Sequence, residues 1–248
     1  RRCRVLYVSV GAEPIRSPKT KWLFKAAFSL ADYRSFRDAA SREYLTDIGI
    51  RVGRDPIFPD LAFGLPVPDP GSHAGGGLAP VRVIGLGLLD YAGQGRSIKR
   101  GGIDHAEYLQ AMMDTIDWLI ERRYVVRILI GDIRYDEPVK KEIKDRLERR
   151  GHGFDGGQVI DEPIRSVPDL LEQISKTDLV IASRFHNVLL SLMLNIPVVS
   201  LSYSHKNDAL MREFGLDRYC QRLERLDLDL LKRQFDDLCG SAALHIPR

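Results

Sequence analysis

The sequence predicts an α/β fold in which two groups of strands and helices are separated by a linker. Short apolar runs alternate with amphipathic helical segments, which is typical of a doubly wound parallel sheet. Residues 178–182 and 197–202 are predominantly apolar, as expected for strands covered on both faces of a sheet. The linker, residues 66–80 (PVPDPGSHAGGGLAP), holds four prolines and four glycines in fifteen residues.

These boundaries give a first lobe at residues 1–65, the linker at 66–80, a second lobe at 81–205 and C-terminal helices at 206–248. The elements expected in the first lobe are a strand at 5–10, a helix at 21–30, an extended piece at 35–37, a helix at 39–48 capped by Asp38, and an extended piece at 57–63 interrupted by Pro59. Two or three strands are few for a parallel sheet. We therefore expect the natural first lobe to be larger and to begin before Arg1.

The second lobe continues the alternation of strands and helices. Its expected strands are 81–88, 124–130, a short one near Val159, 178–182 and 197–202, and its expected helices are 105–123, 137–149, 167–176 and the segment after Ser183. The tail is expected to be helical at 208–216 and 226–238. Alternation of this kind specifies a doubly wound parallel sheet.

Composition excludes several classes of protein. The chain has 248 residues, 44% hydrophobic and 29% charged, with a net charge of +3, which argues against wholesale nucleic-acid binding. Residues 1–54 nevertheless hold twelve Lys or Arg against five Asp or Glu, about +7, so the remainder is about −4. The cysteines, Cys3, Cys220 and Cys239, have no metal-site spacing and suggest free thiols in a reducing compartment. With neither a signal peptide nor a membrane span expected, the predicted location is cytoplasmic.

The most informative segment is residues 178–203, where two polar side chains interrupt a dense apolar block. Ser183 is a good N-cap, so Arg184 and His186 are expected on the first turn of a helix at the carboxyl edge of the sheet. Ligands bind at that edge in open α/β sheets, and helix N-termini there attract anions. The pattern predicts chemistry on an acidic small molecule, with His186 as a proton donor.

Other candidates carry weaker signals. Arg37 ends a strand beside a helix cap and either faces a cleft, pairs with Asp38 or is solvated. Lys206 follows the last strand of the second lobe, so it is a candidate for contacting phosphate on the same edge as His186. Asp132 and Asp136 end another strand and either bind sugar hydroxyls or cap the following helix, the simpler role.

Some familiar ligand motifs are not supported. The glycines at 85, 87, 93 and 95 do not match a dinucleotide fingerprint, and those at 75–77 are interpreted as plain flexibility because no strand feeds them. The six histidines are scattered, so no metal site is predicted.

The segment DLVIASRFHNVLLSLMLNIPVVSLSYSHKNDALMREFGL, residues 178–216, resembles the C-terminal signature of the polysaccharide pyruvyl transferase family. VSVGAEPIRSP, SFRDAASREYLTDIGI and FPDLAF resemble the middle section of that family in the same order. The resemblance covers nearly the whole chain. It places Arg184 and His186 in the Arg-x-His motif and Arg37 in an Arg-Asp motif, while Leu88-Leu89-Asp90 stand where the family often carries an Arg.

The resemblance implies two Rossmann-like lobes similar to GT-B glycosyltransferases, the first lobe incomplete in this chain. It implies transfer of a pyruvyl group from phosphoenolpyruvate to a saccharide or lipid-linked saccharide acceptor, with phosphoenolpyruvate as co-substrate and no other cofactor. His186 would protonate the donor, Arg184 and Arg37 would neutralise its anionic groups, and Lys206 would assist.

Two other functions stay open. The first is a GT-B glycosyltransferase that uses a nucleotide sugar, although Asn187 and Asn195 stand where an acidic residue would bind the ribose. The second is a truncated, non-catalytic module that binds anionic glycans. Trp22 and Phe24 lie on a Lys-rich helix, which either packs on the sheet, the favoured interpretation, or makes peripheral contact with the inner face of the membrane. The sequence does not predict the oligomeric state.

Overall fold

The computed structural model describes residues 3–12, 14–15, 17–67, 82–91, 103–152 and 157–240. It divides into two compact units, Arg1–Pro66 and Val67–Arg248. Most of the predicted linker, residues 68–80, lies outside the described residues, as do the glycines at 75–77, 93 and 95.

The first unit is built on two parallel strands. Its elements are β1 (Leu6–Val10), α1 (Pro18–Ser29), β2 (Tyr33–Phe36), α2 (Ala39–Asp47) and a 3-10 turn (Leu61–Gly64). Ile57 adds an isolated parallel bridge to Phe36, at the position where an extended piece is expected. The buried core of this unit is Phe28, Phe36, Leu45, Ile50 and Val52.

Two helix starts in the first unit show how local chemistry sets the boundaries. Asp38 caps α2, its side chain accepting a hydrogen bond from the backbone N–H of Ser41 at 2.6 Å, as predicted. α1 begins at Pro18 rather than at residue 21, because Ser17 caps it and a proline in the first turn loses no helical hydrogen bond.

The first unit also leaves apolar surface exposed. Leu6 and Val8, alternate residues of β1, are 58% and 44% exposed. α1 packs on the core through Phe24 and Phe28, whereas Trp22 on the same helix is 68% exposed. Packing therefore accounts for Phe24 but not for Trp22.

The second unit contains a six-stranded, all-parallel sheet in the order β5-β4-β3-β6-β7-β8. Its strands are β3 (Val83–Leu88), β4 (Val125–Ile130), β5 (Val159–Ile160), β6 (Leu179–Ala182), β7 (Val198–Ser202) and β8 (Cys220–Arg222). Its helices are α3 (His105–Glu121), α4 (Ile133–Arg149), α5 (Val167–Ser175), α6 (Phe185–Met193), α7 (His205–Glu213) and α8 (Leu228–Gly240). Every residue of β6 and β7 is buried, as predicted for strands covered on both faces.

Two sequence predictions in this unit need correction. The tail after residue 205 is not only helical, because β8 pairs with β7 as the sixth strand. Three residues of mixed polarity, Cys220-Gln221-Arg222, carry no apolar run that a sequence pattern could detect. α4 begins four residues before the predicted start because Asp132 caps it, and Pro138 lies inside the helix.

The strand order reverses between β3 and β6, so the chain leaves these neighbouring strands in opposite directions across the sheet. The crevice outside the carboxyl ends of the strands at such a point is where ligands bind in open α/β sheets. In the part of the chain that the structure describes, no helix combines the length and hydrophobicity needed to cross a bilayer.

Candidate active site

Arg184 lies at the carboxyl end of β6, at the point where the strand order reverses. The structure makes Arg184 itself the N-cap of α6, with extended backbone at φ −69° and ψ 133°, so the prediction that Ser183 caps the helix is wrong. Ser183 instead continues the strand, since its N–H donates to the carbonyl of Gly87 at 3.4 Å. The first helical acceptor is the Arg184 carbonyl, which receives the N–H of Val188 at 3.1 Å.

The Arg184 guanidinium is clamped by a buried carboxylate, that of Asp136. Its Nε donates to Asp136 Oδ2 at 2.8 Å and Oδ1 at 3.1 Å, and its Nη2 donates to Oδ1. The Arg184 side chain is 10% exposed and the Asp136 side chain is fully buried. The sequence alone did not connect these residues, which are 48 positions apart.

Asp136 also collects backbone hydrogen bonds from two neighbouring strand ends. Its Oδ1 accepts the N–H of Asp90, which follows β3, at 2.8 Å. Its Oδ2 accepts the N–H groups of Gly131 and Asp132, which follow β4, at 3.2 and 2.9 Å. Asp136 is thus committed to the loops after β3, β4 and β6, while Asp132 caps α4 as the simpler interpretation predicted.

The environment keeps Arg184 charged. Burial opposes the charge, yet the pKa of the guanidinium is raised, because the hydrogen bonds and charge of Asp136 and the contact with the Tyr203 hydroxyl outweigh burial. Burial also raises the pKa of Tyr108, whose hydroxyl oxygen accepts the N–H of Leu89 at 2.9 Å. The site therefore pairs a permanent cation with a neutral phenol.

His186 is the second residue of α6, so its predicted place on the first helical turn is confirmed. Its side chain is exposed, and its ring lies edge-on to that of Phe185 with centroids 5.4 Å apart. An exposed imidazole two residues beyond a fixed guanidinium is accessible to a small acidic molecule bound at this helix N-terminus.

Lys206 is the second residue of α7, directly after β7, the strand next to β6. It therefore lies on the same edge of the sheet as Arg184 and His186, as predicted. The adjacent Asn207 is fully buried and donates from Nδ2 to the carbonyl of Ser183 at 2.9 Å. This bond fixes the start of α7 to the residue before Arg184.

Two glycines allow α6 to approach the sheet closely. A Cβ on Gly87 would lie 2.6 Å from the Cβ of Ala182 and 2.8 Å from Nδ2 of Asn187. A Cβ on Gly131 would lie 2.9 Å from Oδ1 of Asn187 and 3.0 Å from the Cβ of Arg184. The absence of a side chain at Gly87 therefore makes room for the residues around Arg184.

Arg37, in the first unit, directly follows β2. Its Nη1 donates to Asp60 Oδ2 at 3.0 Å and its Nε lies 3.5 Å from Asp38 Oδ2. The side chain is 13% exposed, so the guanidinium is held by carboxylates rather than solvated. Of the three alternatives, pairing with Asp38 is present. Asp60 is a partner that the sequence analysis missed, although it lies in the FPDLAF motif.

The described residues contain no group of three His, Cys, Asp or Glu side chains placed to hold a metal ion.

Comparison with known proteins gives a family match over most of the chain. The sequence model of the polysaccharide pyruvyl transferase family matches residues 1–205. No curated protein matches this chain significantly.

Several solved structures have a similar fold. S. aureus MnaA in complex with UDP is 10% identical over 98% of this chain and 61% of its own, with a TM-score of 0.61. UDP-GlcNAc 2-epimerase from Neisseria meningitidis, bound to UDP-GlcNAc, is 12% identical over 97% and 62%, with a TM-score of 0.58. An α,α-trehalose-phosphate synthase (UDP-forming) from Burkholderia vietnamiensis is 12% identical over 98% and 62%, with a TM-score of 0.51.

At these identities the similarity shows the fold alone: an α/β architecture with parallel sheets, like that of GT-B-type epimerases and glycosyltransferases. The predicted fold class is confirmed. The chain spans about three fifths of the length of these solved structures.

Proposed function

Since this chain belongs to the polysaccharide pyruvyl transferase family, we propose that it transfers a pyruvyl group from phosphoenolpyruvate to a sugar of a cell-surface or exopolysaccharide precursor, forming a ketal. The observation that carries the proposal is the pairing of a fixed cation and an accessible imidazole at one helix start. Arg184 is held at the N-cap of α6, and His186 is exposed two residues later.

Arg184 suits the anionic groups of the donor. A guanidinium has five N–H donors in a planar fork that matches carboxylate and phosphate geometry. Asp136 occupies the side formed by Nε and Nη2, so the Nη1 side faces away from this carboxylate. Lys206 supplies a second positive charge on the same edge. By the family motif alone, Arg37 is assigned to the same donor.

The proposed reaction uses the enol phosphate of phosphoenolpyruvate. His186 protonates the methylene carbon, which becomes a methyl group, and an oxocarbenium-like centre develops at the adjacent carbon. A sugar hydroxyl attacks this centre and loses its proton, the C–O bond to phosphate breaks, and a second hydroxyl closes the ring. His186 recovers its proton from the first attacking hydroxyl, and the proton of the second hydroxyl leaves with the phosphate.

Protonation of His186 depends on the donor. A helix N-terminus disfavours an imidazolium by about 0.3–1 kcal/mol. An anionic group about 4 Å away favours it by about 4 kcal/mol per unit charge at an effective dielectric constant of 20. The bound donor therefore outweighs the helix, and His186 becomes a competent acid mainly in the complex.

A nucleotide-sugar glycosyltransferase is the second candidate function, because two of the similar structures are bound to UDP or UDP-GlcNAc. The residues around α6 favour this function less than they favour pyruvyl transfer. Asn187, on the first turn of α6, stands where a ribose-binding carboxylate is needed and is fully buried, while Asn195 lies just beyond the opposite end of the helix.

The test is release of inorganic phosphate from phosphoenolpyruvate. Purified protein is incubated with phosphoenolpyruvate and lipid-linked or oligosaccharide acceptors from a polysaccharide-producing bacterium, and phosphate and acid-labile ketal are measured together. We expect phosphate release that requires both donor and acceptor. Thermal stabilisation by UDP-sugars but not by phosphoenolpyruvate would support the glycosyltransferase instead. Binding of glycan without any turnover would support a non-catalytic module.

We also propose that the reaction takes place on the cytoplasmic side, where phosphoenolpyruvate is found, with the first unit touching the membrane that carries the acceptor. Trp22 is 68% and Leu23 61% exposed on α1, beside Lys19 and Lys25. Flotation with anionic liposomes tests this: the wild type should float and Trp22→Ser should float less. Equal recovery of both proteins would contradict it.

A further inference from the structure

We propose that Asp136 is a positioning residue of the donor site: it sets the orientation of Arg184 and thereby the affinity for phosphoenolpyruvate. This inference rests on the proposed function, in which Arg184 binds the donor. Asp136 does not touch the donor in this account, because its side chain is fully buried and filled by protein partners.

The geometry goes beyond an ordinary ion pair. An ionised carboxylate offers about four acceptor positions. Asp136 uses them for Arg184 and for the backbone N–H groups of Asp90, Gly131 and Asp132, at 2.8 to 3.2 Å. These hydrogen bonds therefore fix the guanidinium relative to the ends of β3 and β4 as well as to its own strand, β6. A single carboxylate thus connects the ends of three strands.

The contacts between Asp136 and Arg184 determine which N–H groups of the guanidinium remain for a ligand. Because the Nε and Nη2 side is bound to the carboxylate, the plane of the guanidinium is fixed and the Nη1 side faces away from Asp136. A lysine at the same position would give its compact charge to Asp136 and keep no planar fork. Charge at position 184 alone would then not suffice for donor binding.

Asp161, a second carboxylate that pairs with basic residues of α4, provides a control for Asp136. Asp161 Oδ2 accepts from Lys144 at 2.6 Å and its Oδ1 lies 3.2 Å from Lys140, both residues of α4, and its side chain is 10% exposed. Asp161 follows β5, the strand at the far edge of the sheet from β6 and β7. Loss of this charge disturbs α4 without touching Arg184.

The experiment compares four variants by calorimetric titration with phosphoenolpyruvate and by steady-state kinetics: Asp136→Asn, Arg184→Gln, the double variant, and Asp161→Asn. Asp136→Asn should weaken donor binding by roughly a hundredfold, as expected when a binding group is misplaced by about 1 Å. The KM for phosphoenolpyruvate should rise more than kcat falls. The double variant should bind no more weakly than Arg184→Gln, because Asp136 acts through Arg184. Asp161→Asn should bind within about twofold of the wild type.

Arg184→Lys keeps the proposal testable if Asp136→Asn does not fold, because it preserves the buried pair of charges. It should lose donor affinity as strongly as Arg184→Gln. Wild-type affinity in Arg184→Lys or in folded Asp136→Asn would overturn the positioning role, as would multiplicative losses in the double variant. If the wild type neither binds nor turns over phosphoenolpyruvate, it is the proposed function that fails.

Discussion

The molecule contains two arginines at equivalent places, each just beyond a parallel strand and beside a helix start, and their surroundings differ. Arg37 follows β2, and its carboxylate partners Asp38 and Asp60 are 25% and 16% exposed. Arg184 follows β6, and its partner Asp136 is fully buried. The two side chains are similarly shielded, at 13% and 10% exposure, so the difference lies in the carboxylates.

The comparison teaches how each arginine is tied to the rest of its unit. In the first unit, Arg37 is held by the adjacent Asp38 and by Asp60, and its side chain lies over Gly11. The second unit holds Arg184 through a carboxylate that also binds three backbone N–H groups at neighbouring strand ends. Changes around Arg184 should therefore affect stability and function together, whereas changes around Arg37 should separate them.

The largest expected effect belongs to His186, which neither arginine can replace. His186→Gln should lower phosphate release from phosphoenolpyruvate by about 10²- to 10⁴-fold, because a general acid contributes about that much. Donor binding, measured by calorimetry, should survive. His205→Gln is the matched control, since His205 is the first residue of α7 and its side chain is 88% exposed. Loss of binding together with turnover would instead assign His186 to binding.

Next in size is the stability of the two arginine sites. Asp136→Asn should cost roughly 3–5 kcal/mol of unfolding free energy, because it leaves a buried guanidinium without its counter-charge. Asp60→Asn should cost about 1 kcal/mol or less, since that carboxylate is partly exposed. Urea denaturation followed by circular dichroism measures both. Equal costs would remove the distinction between the two sites.

Substitutions at Gly87 and Gly11, one beside each arginine site, have the next largest expected effects. Gly87→Ala should cost about 1–3 kcal/mol, because the new Cβ meets the Cβ and backbone of Ala182. A Cβ on Gly11 would lie 2.4 to 2.6 Å from the end of the Arg37 side chain, which can swing away. Gly11→Ala should thus retain most stability while displacing Arg37. If Arg37 binds the donor, calorimetry should show weaker phosphoenolpyruvate binding by Gly11→Ala, and unchanged affinity would remove Arg37 from the site.

The smallest effect concerns cysteines in the two units. Burial raises the pKa of the Cys220 thiol to about 11, whereas Cys3 is exposed. At pH 8 the thiolate fraction of Cys220 is about a hundredfold below that of an ordinary thiol, so iodoacetamide should label Cys3 first by mass spectrometry.

The same shift has a consequence for stability. Because the pKa is raised in the folded state, the contribution of the Cys220 thiol is present at pH 7 and is lost as pH rises from about 9 through about 11. Cys220→Ser should flatten this alkaline loss in denaturation curves. An unchanged alkaline limb would assign the loss to other groups.

Much of the second unit is predictable from the sequence because its strands are buried on both faces. Apolar runs identify β6 and β7, and the polar residues that interrupt this block identify Arg184 and His186. The sequence does not predict the boundary between β6 and α6 correctly. Ser183 bonds to Gly87 and Asn207, which are distant in the sequence, and does not cap its own helix. No local rule reports those bonds.

The partners of the arginines show the same limit. Asp136 lies 48 residues from Arg184, and Asp60 lies 23 residues from Arg37. Their roles depend on which strands become neighbours, and a single sequence gives little information about that. Residues that touch a ligand are recognisable by chemical type, whereas residues that hold them are recognisable only in the fold.

Hydrogen–deuterium exchange with and without ligand tests the central claim most directly. The donor is proposed to bind where α6 and α7 begin, so phosphoenolpyruvate should slow exchange in peptides covering residues 183–188 and 203–207, and UDP-GlcNAc should not. Protection of neither peptide by phosphoenolpyruvate, or protection of both by UDP-GlcNAc alone, would contradict the assignment of this edge as a pyruvyl-donor site.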